Sequence, residues 1–141
     1  MIRIGWASRD FTPERPALIQ GQMHVRIGRQ ARDPLTLTAM AVDGGAPQSR
    51  VILISADLPM ISEKLLEMVR RGGSARENDV PPEAIIMNAT HTHDALITED
   101  GFYPHPGGDI MTGSEGCRRV AEKAVEAAIE AWKNRSPALI G

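Results

Sequence analysis

A single cysteine, Cys117, occurs in 141 residues, which excludes an internal disulfide and a thiolate zinc cluster. Aromatic residues make up only 4% of the chain. Seven methionines and many alanines take over part of the packing, which suits an adaptable core. Neither sign of charge dominates: sixteen Lys and Arg stand against eighteen Asp and Glu, a net charge of −2. That balance argues against a module binding nucleic acid by phosphate neutralisation and against a polybasic membrane patch. No apolar run reaches the ~18–20 residues that a membrane helix needs. The opening Met1-Ile2-Arg3-Ile4-Gly5-Trp6 lacks the basic cap and apolar stretch of a signal peptide, so a cytoplasmic location is expected. The ten prolines and thirteen glycines are scattered, and no linker or repeat divides the chain. One domain over residues 1–141 is therefore expected.

The pattern is that of an α/β chain: a mixed sheet with at least one βαβ unit and helices packed on it. Residues 2–7 read as a strand, broken by Asp10-Phe11-Thr12-Pro13, since the residue before proline is pushed away from helix. Residues 14–33 read as loop with at most a short strand. Leu35-Thr36-Leu37-Thr38 opens a half-buried strand by its alternation. Asp43-Gly44-Gly45 turns the chain into Val51-Ile52-Leu53-Ile54-Ser55-Ala56, apolar on both faces as in a central strand. Ile61, Leu65, Met68 and Val69 make a helical stripe, with the helix expected to end at Gly72-Gly73. Pro81-Pro82 forbids its resumption. Ala84-Ile85-Ile86-Met87-Asn88-Ala89 supplies the next buried strand, parallel to the preceding one and joined to it by a right-handed crossover.

Residues 94–111 read as a long loop of the kind that often belongs to a binding site. Thr112 and Glu115 form a capping box, with Ser114 as the other candidate cap. From there Cys117, Val120, Ala121, Ala124, Val125, Ala128 and Trp132 draw a continuous apolar stripe. Ser136-Pro137 stops this helix, and Ala138-Leu139-Ile140 looks like the start of another strand, as though the chain were the amino-terminal portion of something larger.

Four histidines could carry chemistry: His24, His91, His93 and His105. His91 and His93 flank Thr92 just after the strand at 84–89. In extended backbone, residues two apart point to the same face, so two imidazoles are presented side by side, as a divalent metal can use. Open α/β sheets also bind ligands beyond the carboxyl ends of their strands. Asp57 ends the neighbouring strand and would share that crevice, orienting a histidine or capping the next helix. His24 lies beside the turn Gln20-Gly21-Gln22 as a further cleft candidate. Asp94 reads as a turn residue and Cys117 as a small buried hydrophobe. The metallo-β-lactamase pattern H-x-H-x-D-H is not met by His91-Thr92-His93-Asp94-Ala95-Leu96, and H-E-x-x-H is absent.

Five short motifs in order make a more specific pattern. Ile4-Gly5-Trp6-Ala7 with Asp10-Phe11-Thr12-Pro13 resembles the G-x-A-x-x-D-I-T-P opening of the neutral/alkaline non-lysosomal ceramidases. Gly21-Gln22-Met23 falls at that family's glycine turn, and the 34–42 segment is similar to its A-x-A strand. Residues 51–60, VILISADLPM, resemble its buried strand, and Asn88-Ala89-Thr90-His91-Thr92-His93 matches its T-H-T-H signature.

The resemblance implies an amidase with one zinc ion, His91 as a ligand and His93 in the same site near the scissile amide. It implies zinc-activated water attacking an N-acyl carbonyl of a small-molecule or lipid-like substrate. The family follows T-H-T-H with S-G-P-G-G, where this chain has Asp94-Ala95-Leu96-Ile97. The family's other ligands, a histidine, a glutamate and a tyrosine, lie beyond residue 141, so this segment alone is expected to be inactive and to bind zinc weakly. An ester or phosphoester hydrolase and a non-catalytic structural module remain the alternatives, as does an isologous dimer joining two histidine pairs.

Overall fold

The computed structural model describes residues 1–76 and 80–139. The chain enters through β1 (Arg3–Asp10), makes the two-residue strands β2 (Ala17–Leu18) and β3 (Ile27–Gly28), and returns along β4 (Thr36–Asp43). β5 (Arg50–Ala56), α1 (Glu63–Arg76) and β6 (Ile85–Ala89) follow, then α2 (Gly113–Lys133) and the short β7 (Ser136–Pro137). The main sheet has five strands in the order β6-β5-β4-β1-β7, while β2 and β3 pair separately. β5 and β6 run parallel and the other pairings are antiparallel. The fold is α/β, with a mixed sheet and its βαβ unit where the sequence pattern placed them.

Alternation explains why the sheet has one buried face. In β4, Leu37, Ala39, Ala41 and Asp43 are buried and the residues between them are half-buried. α2 packs along β1, β4 and β5, and α1 packs on α2 and β6. Small residues permit this closeness: Ala124, Ala127, Ala128 and Ala131 of α2 are fully buried against Ala39, Ala41 and Ile54. Cys117 is buried with them, 3.7 Å from the Met68 sulfur. Burial pushes its thiol up from the ordinary value, which leaves it inert.

The opposite face carries a row that crosses four strands. Trp6 pairs with Met40, Met40 with Leu53 and Leu53 with Ile86. Trp6 is 59% exposed and Ile86 47%. The neighbouring row is polar: the Ser8 and Thr38 hydroxyls share a 2.8 Å hydrogen bond, and Asn88 Nδ2 donates to Ser55 Oγ.

Some boundaries differ from the sequence expectation. β1 continues to Asp10 because its register with β4 holds as far as Asp10↔Thr36. α1 does not stop at Gly72-Gly73 but runs to Arg76. A Cβ on Gly72 would lie 2.7 Å from Val125 Cγ2, and one on Gly73 2.8 Å from Ile85 Cδ1. These glycines are where α1 touches α2 and β6, so they serve packing rather than termination. The final strand falls at Ser136–Pro137, and the Ala138 amide still donates to the Ile2 carbonyl. Ile140, included in the expected strand, lies outside the described residues.

The 94–111 segment is less free than a loop of its length suggests. Ala95, Leu96, Ile97 and Thr98 are all buried. The Ile97 amide donates to the Leu18 carbonyl and the Gln20 amide to the Ala95 carbonyl, so this stretch lines up against β2.

Candidate active site at the ends of β5 and β6

Two parallel strands, β5 and β6, deliver their carboxyl ends to the same edge of the molecule, and the segments leaving them are stitched together. The Thr90 amide donates to the Ala56 carbonyl and the His91 amide to the Leu58 carbonyl. Asp57 Oδ2 accepts from the Thr36 amide and hydroxyl at 2.9 and 3.0 Å, and its Oδ1 accepts from the Thr90 hydroxyl at 3.2 Å. Asp57 therefore touches neither imidazole and acts on the pair through Thr90. Nor does it cap α1: there the Ser62 hydroxyl accepts from the Leu65 amide.

His91 itself has a φ of +64°, the left-handed region that few residues other than glycine enter. The extended geometry read from the sequence thus stops before the pair, yet the two rings still meet. Their centroids are 4.9 Å apart, nearly perpendicular, and the Nε2 atoms stand 3.4 Å from each other. The left-handed turn, rather than strand alternation, brings the rings together.

The surroundings hold each ring differently. His91 Nδ1 lies 2.6 Å from the Pro59 carbonyl oxygen. A carbonyl only accepts, so Nδ1 carries the proton, and the neutral ring presents its lone pair at Nε2. The His93 carbonyl accepts from the Arg26 guanidinium, which also binds the Gln20 carbonyl at 3.1 Å and Asp94 Oδ1 at 3.0 Å. Gly21 supports the other side of His93: a Cβ there would lie 2.6 Å from the His93 Cβ and Cγ.

Two nitrogen ligands of a tetrahedral zinc ion, each about 2.0–2.1 Å from the metal, stand about 3.3–3.4 Å apart. The observed Nε2 separation fits that spacing, and the Nδ1–carbonyl bond is the usual way a ligand imidazole is oriented. The pair is incomplete, however. Among the described residues, no group of three or more His, Cys, Asp or Glu side chains comes together to hold a metal ion.

The other sequence candidates sit apart from the pair. His24 is exposed and does not line the cleft beside the site. The His105 ring closes its own loop, with Nε2 3.0 Å from the Ile110 carbonyl oxygen and Nδ1 accepting from the Gly107 amide. Asp94 is a turn residue held by Arg26. Sequence reasoning missed Pro59 and Arg26. A backbone carbonyl leaves no mark in a sequence, and an arginine 67 residues from His93 gives no local signal.

No family model matches the chain, and no curated protein matches it in sequence. Solved structures do. A neutral ceramidase from Pseudomonas aeruginosa superposes with a TM-score of 0.78 over 96% of this chain, at 18% identity. A ceramidase complexed with C2 gives 0.76 over the same share, also at 18% identity.

The fold is similar to that of a segment of these ceramidases. The chain spans only 22% of each of these ceramidase chains. The fold is thus shared with solved members of the family that the sequence motifs resemble. No described helix is long and apolar enough to cross a membrane.

Proposed function

We infer that this chain is the imidazole-bearing part of a ceramidase-like, zinc-dependent hydrolase of amide (N-acyl) bonds. The observation that carries this reading is the histidine pair: two Nε2 atoms 3.4 Å apart, one of them fixed through Nδ1 on the Pro59 carbonyl. The fold shared with two ceramidases supports it.

In this reading His91 holds zinc through Nε2, and His93 stands in the same site beside the scissile amide. Bound zinc supplies a water whose pKa falls from 15.7 to about 7, and it polarises the carbonyl under attack. The chain's own residues prepare the place. Pro59 keeps the proton on Nδ1 of His91 so that the opposite nitrogen is available. Arg26 fixes the His93 backbone, and Asp57 fixes Thr90, one residue before His91. The substrate is a small-molecule or lipid-like N-acyl compound.

A catalytic zinc usually takes about three protein ligands, and the described residues bring two imidazoles together. The 141-residue chain alone is therefore expected to bind zinc weakly and to leave amides intact. Equilibrium dialysis against zinc with elemental analysis tests the site directly. Wild-type protein should take up zinc, and His91→Ala should lower the affinity roughly tenfold or more with an unchanged circular dichroism spectrum. Equal uptake by the two proteins would remove the metal from this site.

A further inference from the structure

The two outer sides of the molecule differ in charge. α2 turns Arg118, Glu122 and Lys133 to the water, as a solvated helix does. The sheet face away from α2 carries nothing of the kind. Every side chain of the Trp6–Met40–Leu53–Ile86 row is apolar, and so is the row before it, Ile4–Val42–Val51. The row after it, Ser8–Thr38–Ser55–Asn88, is polar and uncharged. These eleven positions on four strands hold no Asp, Glu, Lys or Arg, which make up 24% of the chain.

A sheet face left to water turns polar side chains outward, and a continuous apolar patch on a surface marks an interaction site. The polar row is prepared for the same cover. Its hydrogen bonds run within the row, Ser8 with Thr38 at 2.8 Å and Asn88 with Ser55 at 3.2 Å. Hydroxyls and amides already paired lose less on leaving water. In extent, β1 and β4 have eight residues each, ~26 Å of strand at about 3.3 Å per residue, and four strands span ~19 Å. The face is therefore roughly 500 Å² in projection, and larger in accessible area because side chains stand off it. A standard interface takes about 800 Å² from each partner, so this face with its rim is of the size a dimer needs.

We propose that this face packs against the same face of a second copy, two sheets stacked about 10 Å apart with their strands inclined by about 30°. The charge pattern selects this occupant. A twofold axis sets a surface against itself, so a face of one sign would repel its own copy and an uncharged face does not. A different protein is ordinarily matched by opposite charges, and the three rows offer none. The net charge of −2 per chain adds little repulsion at physiological ionic strength. Apolar burial then drives the association, with Trp6, the most exposed member of its row, as the anchor. The histidine pair lies past the ends of β5 and β6, outside the stacked rows, so this dimer is independent of the metal reading.

Sedimentation equilibrium on the full chain over a dilution series tests this. Concentrated protein should have twice the 15.3 kDa mass of one chain, and dilution should return it to single chains with the row open. Trp6→Lys/Ile86→Lys, at two exposed positions, should raise the dimer dissociation constant about a hundredfold or more, with circular dichroism and zinc uptake unchanged. Trp6→Ala/Ile86→Ala, which brings no charge, should raise it about tenfold. Glu122→Lys on the outer side of α2 should leave it unchanged. Added salt should not dissociate the dimer, since no ion pair holds it.

Single chains at every concentration would assign the face to a different partner and overturn the proposal. A dimer that resists both double variants, or that falls apart in salt, overturns it as well. The salt series uses the unaltered chain, so it decides the matter even where a substitution disturbs the fold. The variants spare His91 and His93, so single chains that still take up zinc leave the amide-hydrolase reading standing.

Discussion

Gly21 shows how much of the site depends on residues that do no chemistry. Its φ is +111°, and the space where a side chain would begin is occupied by His93. Gly21→Ala therefore has two costs, backbone strain of about 1–3 kcal/mol and a displaced imidazole. The expected outcome is a lower melting temperature together with weaker zinc uptake. Gly45→Ala provides the control, since Gly45 has a φ of +96° with nothing within 4 Å. It should lower the melting temperature and leave zinc uptake unchanged; equal zinc binding by both variants would show that Gly21 does not position His93. At this scale the sequence revealed which residues are chemical but not how they are held. His91 and His93 were legible as a pair at a strand end. The left-handed turn at His91 was not, because a non-glycine residue rarely takes that backbone conformation; nor were the proton fixed by Pro59 and the carbonyl clamp of Arg26, which are contacts between segments distant in the chain.

Among the elements, α2 has the most elaborate start. The Thr112 hydroxyl accepts from the Glu115 amide while the Glu115 carboxylate accepts from the Thr112 amide, the reciprocal pattern of a capping box. Asp100 adds a second carboxylate, accepting from the Gly113 amide at 2.7 Å and from the Ser114 hydroxyl and amide. The Ser114 hydroxyl, followed by the two backbone amides and Lys64, holds the Asp100 carboxyl below its usual range despite partial desolvation. A carboxyl whose folded-state value is depressed stabilises the fold above its unfolded value, about 3.9, and loses that contribution as pH falls through the folded value. Asp100→Asn should thus lower stability at pH 7 by about 1 kcal/mol. Thermal melts across pH should show the gap from wild type closing below about pH 4; a gap of constant size would mean that charge is not what Asp100 contributes.

Asp100 was invisible as a cap because it lies 13 residues from Gly113, whereas Thr112 and Glu115 announce themselves by their spacing. The same contrast separates the two helices. Every position of the stripe read for α2, from Cys117 to Trp132, is buried, and Ala127 and Ala131 beside it are buried as well. The end of α1 was misjudged because a glycine pair is a stop signal only when the chain has nothing to approach closely, and here Val125 and Ile85 lie against it.

Across the molecule, two pairings followed from local pattern: the turn at Asp43-Gly44-Gly45 set β5 beside β4, and the βαβ unit made β5 and β6 parallel; the pairing of β1 with β4 and β7 joins segments distant in the chain and left no local mark. The burial of 95–98 could not be foreseen, since a short apolar run inside a glycine- and proline-rich loop looks the same whether it is covered or bare. The sheet's two faces are just as unequal in their tryptophans. Trp132 is 3% exposed, with the Arg135 guanidinium 3.3 Å from its ring centre, whereas Trp6 stands open in the Trp6–Met40–Leu53–Ile86 row. The two indoles are therefore separate fluorescent reporters. Iodide should quench Trp6 and spare Trp132, so that Trp6→Phe leaves a spectrum nearly insensitive to the quencher. Anything that comes to lie on the open face should shift Trp6 emission to shorter wavelength and shield it, giving the sheet an optical readout of its own.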